Sequence, residues 1–100
     1  MAIARNIIWH RPAKLYLEKA IDYIRQDSIK NADIVANAIL ASIDKASRFP
    51  EHFPPDKYKL NNTGAFRTFE IYSFRISFYA DPDIVRVVRI RHTKQKPINY

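Results

Sequence analysis

Phe66 to His92, FRTFEIYSFRISFYADPDIVRVVRIRH, decides the fold. Apolar and polar residues alternate through it, and two turn signals divide it: Tyr72-Ser73 and Asp81-Pro82-Asp83. Period-two alternation broken by turns reads as a three-stranded antiparallel meander. A two-residue turn at Tyr72-Ser73 sets Ile71 against Phe74, Glu70 against Arg75 and Phe69 against Ile76. A three-residue turn around Pro82 sets Ala80 against Ile84, Ile76 against Val88, Phe74 against Ile90, and Arg75 against Arg89. One face then carries Phe69, Ile71, Phe74, Ile76, Phe78, Val88 and Ile90. The other carries Glu70, Arg75, Ser77, Tyr79, Arg89 and Arg91. A slip of one residue would exchange the faces. Arg86 fits this register badly, because parity puts it beside Val88; a bulge nearby would resolve the conflict.

Working outward, Ile3 to Trp9 reads as a short strand. Pro12 suits the first turn of a helix, where its missing N–H costs nothing. Leu17, Ala20, Ile21 and Ile24 then form one apolar stripe. Asp27-Ser28 interrupts the pattern and can cap a second helix. That helix places Val35, Ala38, Ile39, Ser42, Ile43 and Ala46 on one face and stops near Phe49, because Pro50 disfavours helical geometry in the residue before it. Two helices joined by a short link form an αα-hairpin, and the apolar face of the meander is the surface available to bury both stripes. Pro50, Pro54, Pro55 and the Asn61-Asn62-Thr63-Gly64 stretch mark a loop to the meander. The expectation is a single α+β domain over residues 1–100: an N-terminal strand, an αα-hairpin and a three-stranded antiparallel meander, with the helices on one face and a basic C-terminal tail over 93–100.

Charge is uneven. From Lys57 to Tyr100 there are nine Lys and Arg residues against three acids, a net +6 out of the +7 of the whole chain. Like charge gathered on one sheet repels itself, so an anionic partner is expected there. The chain has no cysteine, one glycine (Gly64) and three widely spaced histidines. Disulfides, thiolate metal sites, zinc spacing and glycine-rich phosphate loops are therefore not expected, and no metal or cofactor is. No apolar run approaches the roughly 18 residues of a membrane span, and MAIARNIIW lacks the apolar core of a leader. A cytoplasmic protein that touches no membrane is the expectation.

The order strand, helix, helix, three strands resembles the RelE/ParE superfamily of bacterial toxins from type II toxin–antitoxin pairs. The likeness is carried by LEKAIDYI, ANAILASIDKASRFPEHFPP, FRTFEIYSFRISFYAD and IVRVVRIRHT, in that order over nearly the whole chain. It implies an antitoxin partner whose acidic or amphipathic segment wraps the toxin, with a toxin–antitoxin heterotetramer as one expected assembly. It implies one of two targets. RelE-like members cut messenger RNA on the ribosome through the RNA's own 2′-OH, without a metal; ParE-like members inhibit DNA gyrase and are not known as nucleases. The basic meander tips the expectation narrowly to ribosome-dependent mRNA cleavage, an endoribonuclease activity, with gyrase inhibition as the alternative. The long paired helices favour gyrase inhibition. An inactive antitoxin-binding module is a third reading.

For cleavage, the candidate catalytic residues are Arg75, His92, Glu70 and Tyr100. Arg75, in SFRISF, resembles the catalytic-face arginine of the nucleases, and its planar fork suits phosphate oxygens; a cross-strand pair with Glu70 is the alternative. Histidine as a residue type can take or give a proton near neutral pH, and His92 resembles a histidine some nucleases carry, although strict alternation sends it to the core side. Glu70 can act as a base, but a neighbouring arginine lowers a carboxylate's pKa and weakens it in that role. Tyr100 loosely resembles a tail tyrosine of some nucleases and can stack on a base, or it is a frayed terminus. Lys57, Lys59, Arg67, Arg89, Arg91 and Lys94 are the candidate phosphate contacts, each with a solvated surface charge as the alternative. Trp9, Phe69, Phe74 and Phe78 read as core.

Overall fold

The computed structural model of the protein describes residues 3–100. Residues 1 and 2, which open the segment read as lacking a leader, lie outside the described residues. Strand β1 (Asn6–Trp9) leads into helices α1 (Arg11–Asp27) and α2 (Ile29–Arg48), then a short 3-10 turn, Pro50–His52. Strands β2 (Phe66–Ile71), β3 (Phe74–Ala80) and β4 (Ile84–His92) complete one sheet in the order β1-β4-β3-β2. β1 lies parallel to β4; the meander is antiparallel. The expected α+β architecture is the observed one.

A single residue, Ser28, separates the helices. It ends α1 by donating its N–H to the Ile24 carbonyl at 2.9 Å. Its extended backbone also frees its hydroxyl to accept the Asn31 N–H at 3.1 Å, capping α2. The hairpin buries Ala13, Leu17 and Ile21 of α1 and Ala32, Val35, Ile39, Ile43 and Ala46 of α2. These meet Phe74, Ile76, Val87 and Ile90 of the sheet, while Ala46, Phe78 and Val85 form a second cluster. Of the expected stripes, Leu17, Ile21, Val35, Ile39, Ile43 and Ala46 are buried, while Ala20, Ile24, Ala38 and Ser42 are half-buried at the margins.

β1 is shorter than Ile3–Trp9. Ahead of Asn6 the chain is anchored by Arg5, whose Nε donates to the Asp81 carbonyl at 2.6 Å and whose N–H donates to the Ser47 carbonyl at 2.9 Å. That arrangement ties α2 to the β3–β4 turn, and Ile3 is left exposed.

The Tyr72-Ser73 turn is as read: Ile71 faces Phe74 and Glu70 faces Arg75. Both turn residues have positive φ, 48° and 66°, the geometry whose twist matches a two-residue hairpin. The second hairpin departs from the expected register. Ala80 faces Val85, not Ile84, because Asp81 accepts the Asp83 and Ile84 N–H groups and lengthens the turn. A shift of one would invert the faces, but Val88 bulges between the Phe78–Val87 and Ser77–Arg89 pairs and restores them. Val85 and Val87 therefore point to the core where Ile84 and Val88 were expected, and Arg86 turns outward opposite Tyr79. Arg75 faces Arg91, not Arg89.

Candidate functional site

The outer face of the sheet, away from the helices, is covered by two irregular segments. The first is the loop between the 3-10 turn and β2. Its Asp56 N–H donates to the Phe66 carbonyl at 2.9 Å and its Pro54 carbonyl accepts the Thr68 N–H at 3.0 Å, so the loop runs along the free edge of β2. Asn62 fixes the return: its amide donates to the Asp56 and Phe66 carbonyls at 3.2 and 2.8 Å, and its oxygen accepts the Gly64 and Phe66 N–H groups. Asp56 is only 2% exposed. Its carboxylate is satisfied by the Tyr58 N–H at 3.0 Å and by the Tyr100 hydroxyl, which donates at 2.6 Å.

The second segment is the tail. After β4, the Thr93 N–H donates to the Ser73 carbonyl at 2.8 Å, and residues 93–99 then cross the outer face with their side chains exposed. Tyr100 closes the crossing. Its N–H donates to the Tyr58 carbonyl at 2.9 Å, its carbonyl accepts the Leu60 N–H at 2.6 Å, and its ring lies edge-on to Phe66. Burial and the bond to Asp56 push the Tyr100 phenol above its ordinary range. Tyr100 is therefore an ordered anchor, not a frayed terminus.

Together these segments leave a cleft on the outer face, lined by Asp56, Tyr58, Glu70, Arg75, Arg91, His92 and Tyr100 among others. Three arginines reach it in different states. Arg75 is ion-paired with Glu70 and lies 4.7 Å from the Tyr58 ring centroid. Arg89 sits 4.7 Å from the Tyr100 ring centroid and donates to the Ile98 carbonyl at 2.8 Å. Burial, and then the adjacent Arg91, pull the Arg89 guanidinium below its ordinary pKa. Arg91 has no carboxylate partner among the described residues. His92 stands at the end of β4 opposite Phe74, with its ring against the Phe74 ring and its Nδ1 accepting the Lys94 N–H at 3.1 Å.

The remaining candidates are dispersed. Lys59 lies over the Phe66 and Tyr100 rings at 4.8 and 5.5 Å. Lys57 rests 5.3 Å from the Tyr58 ring, and Lys94 is exposed in the tail. Arg67 faces Phe78, on the helix side of the sheet, where its guanidinium donates to the Phe53 carbonyl at 2.7 Å. It does not join the outer cleft. The sequence reading did not single out Asp56, on which the site is built. It lies one residue before the stretch in which charges gather, and its partner Tyr100 is 44 positions away. Among the described residues no group of three or more His, Asp or Glu could hold a metal, and no helix is long and apolar enough to cross a membrane.

A strand, a helical hairpin and a meander with an arginine-bearing outer face define a small α+β protein of the toxin class that the sequence resembles. A model of the family described as "ParE toxin of type II toxin-antitoxin system, parDE" matches residues 7–97, and the chain belongs to that family. Membership makes it the toxin of a type II pair and implies an antitoxin partner. No curated protein matches the chain. Ile98 and Tyr100, which close the outer face, lie beyond the matched span.

Proposed function

We propose that this toxin acts in the cytoplasm by binding, as an inhibitor of DNA gyrase, and not by cutting RNA. The observation that carries the reading is the state of the acid–base groups on the outer face. Cleavage through a 2′-OH needs a base free to take a proton and an acid free to give one. The Tyr100 hydroxyl is committed to Asp56 at 2.6 Å, His92 Nδ1 accepts the Lys94 N–H at 3.1 Å, and Glu70 is paired with Arg75. Tyr100 and Glu70 are each held by a neighbour of their own chain, which leaves the His92 Nε2 as the one acid–base atom of the three side chains without such a partner among the described residues. A paired hairpin of 17 and 20 residues offers a long rigid surface for a protein target and agrees with the ParE-like branch of the resemblance.

One observation favours ribosome-dependent mRNA cleavage as the second reading: Arg91 has no carboxylate partner among the described residues and lines the same cleft as Glu70, Arg75, His92 and Tyr100. Expressing the chain without its antitoxin separates the two. Inhibition of gyrase predicts loss of plasmid supercoiling while amino-acid incorporation continues, and block of purified gyrase at stoichiometric concentration. Incorporation that stops first, with cut messages and normal supercoiling, would replace this reading with the nuclease. A gyrase inhibitor also keeps its effect when His92 becomes Ala.

A further inference from the structure

The tail poses an electrostatic problem. It carries Lys94 and Lys96 and no acid, yet it lies on the face that holds Arg75, Arg89 and Arg91. The charges of its own side chains do not hold it there. Between Thr93 and Asn99 every residue is exposed, so apolar burial contributes little. What remains is its far end, where Tyr100 makes two backbone hydrogen bonds to the 58–60 loop and one side-chain bond to Asp56. Arg89 supplies a fourth bond, to the Ile98 carbonyl, and stacks on the Tyr100 ring. Its near end is a fixed pivot: the Thr93 N–H is bound to Ser73, and Gln95 accepts the His92 N–H at 3.1 Å. A segment with a fixed pivot, an exposed middle and one anchoring residue opens as a unit, at low cost relative to the core.

We propose that residues 93–100 are a self-inhibitory strap over a latent nucleic-acid-binding face, and that Tyr100 seated on Asp56 is its latch. Closed, the strap uses Arg89 for its own carbonyl and ring and blocks the approach of a phosphate chain to Arg75. Open, it frees Arg89, joins Lys94 and Lys96 to the same positive field, and releases Tyr58 as a ring on which bases can stack. Arg91, without a carboxylate partner among the described residues, is the first contact available to an incoming phosphate. The backbone of a nucleic acid therefore competes with the strap, and apparent affinity is set by the fraction of molecules that are open. This inference is independent of which target the toxin poisons, so failure of the gyrase experiment leaves it standing, and the reverse.

The test is fluorescence anisotropy with a labelled single-stranded 12-nucleotide probe at low salt, read beside hydrogen exchange at the Leu60 N–H, which donates to the Tyr100 carbonyl. Tyr100→Ala should speed Leu60 exchange and tighten probe binding about tenfold. Adding Arg91→Gln to that variant should return the affinity to the level of the unaltered chain. Faster exchange with unchanged affinity would overturn the strap, and unchanged exchange would overturn the latch. The unaltered chain gives a second arm that needs no substitution. Saturating it with probe must speed Leu60 exchange, and a complex in which Leu60 stays protected would sink the proposal even if Tyr100→Ala failed to fold.

Discussion

On the helix side of the sheet, Ile76, Phe78, Val85 and Val87 are at most 1% exposed, sealed by α1 and α2. On the opposite side, Ser77 is 2% exposed, but its cover is the Asp56 loop and the tail. The two faces reach similar burial by different means. The helix side loses apolar area to water, which is non-directional and roughly proportional to the surface removed. The outer side is held by a few directional bonds, among them Tyr100 to Asp56 and Arg89 to Ile98, and by cations over rings. The first kind of closure is lost only when the protein unfolds. The second can be undone locally, which suits a surface that meets partners.

The largest expected effect breaks the apolar side. Phe78 is 1% exposed and contacts the Phe53 ring edge-on at 5.6 Å. Phe78→Ala should cost about 3–5 kcal/mol, the usual range for emptying such a site, measured by urea unfolding. The loss should appear as a lower midpoint of one cooperative transition. A loss below about 1 kcal/mol would mean that this side is no better packed than the strap side.

A smaller effect sharpens the boundary between the faces. Arg67 stands on the helix side and donates to the Phe53 carbonyl at 2.7 Å. Arg67→Ala should cost about 1 kcal/mol, the net worth of one hydrogen bond. Unlike Arg91→Gln, it should leave the affinity of a strap-opened chain for the 12-nucleotide probe unchanged. Equal loss of probe binding in both variants would mean that the basic surface wraps the sheet edge and that the two faces are not separate in function.

That contrast also marks what could be read from residue order alone. The helices were legible because each stripe repeats at helical spacing and each end has a local cause, Pro12, Ser28 and Pro50. The first hairpin was legible because a two-residue turn leaves one register. The second was legible only in part. Arg86 at an apolar parity position signalled a bulge, but the longer turn comes from Asp81 accepting the Asp83 and Ile84 N–H groups, and alternation does not reveal it. Arg67 shares parity with Phe69, so its place on the helix side was already implied by the pattern that grouped it with the phosphate contacts. The Asp56–Tyr100 latch was not legible: it joins two irregular segments, and a side-chain bond between loops leaves no period in a sequence.

The smallest expected effect concerns protons on the strap side. Burial and the bond to Asp56 raise the Tyr100 pKa, so closure of the tail favours the neutral phenol. A group raised on folding contributes stability that is whole below its unfolded value, about 10, and is lost as pH climbs beyond it. The closed strap should therefore be indifferent to pH near neutrality and loosen only above about 10. Tyr79 is also raised, chiefly by its hydrogen bond with Asp81, so a tyrosinate absorbance titration should show a late set of two, of which Tyr100→Phe removes one. The melting temperatures of the unaltered chain and of Tyr100→Phe should differ below pH 10 and converge above it. The effect is small because Tyr100 keeps a partly exposed edge, where screening weakens it. Curves that stay parallel through about pH 11 would mean that the phenol proton does not hold the tail. The outer face would then be closed by the backbone bonds of Tyr100 and by Arg89, and Tyr100→Phe would leave the strap as tight as before.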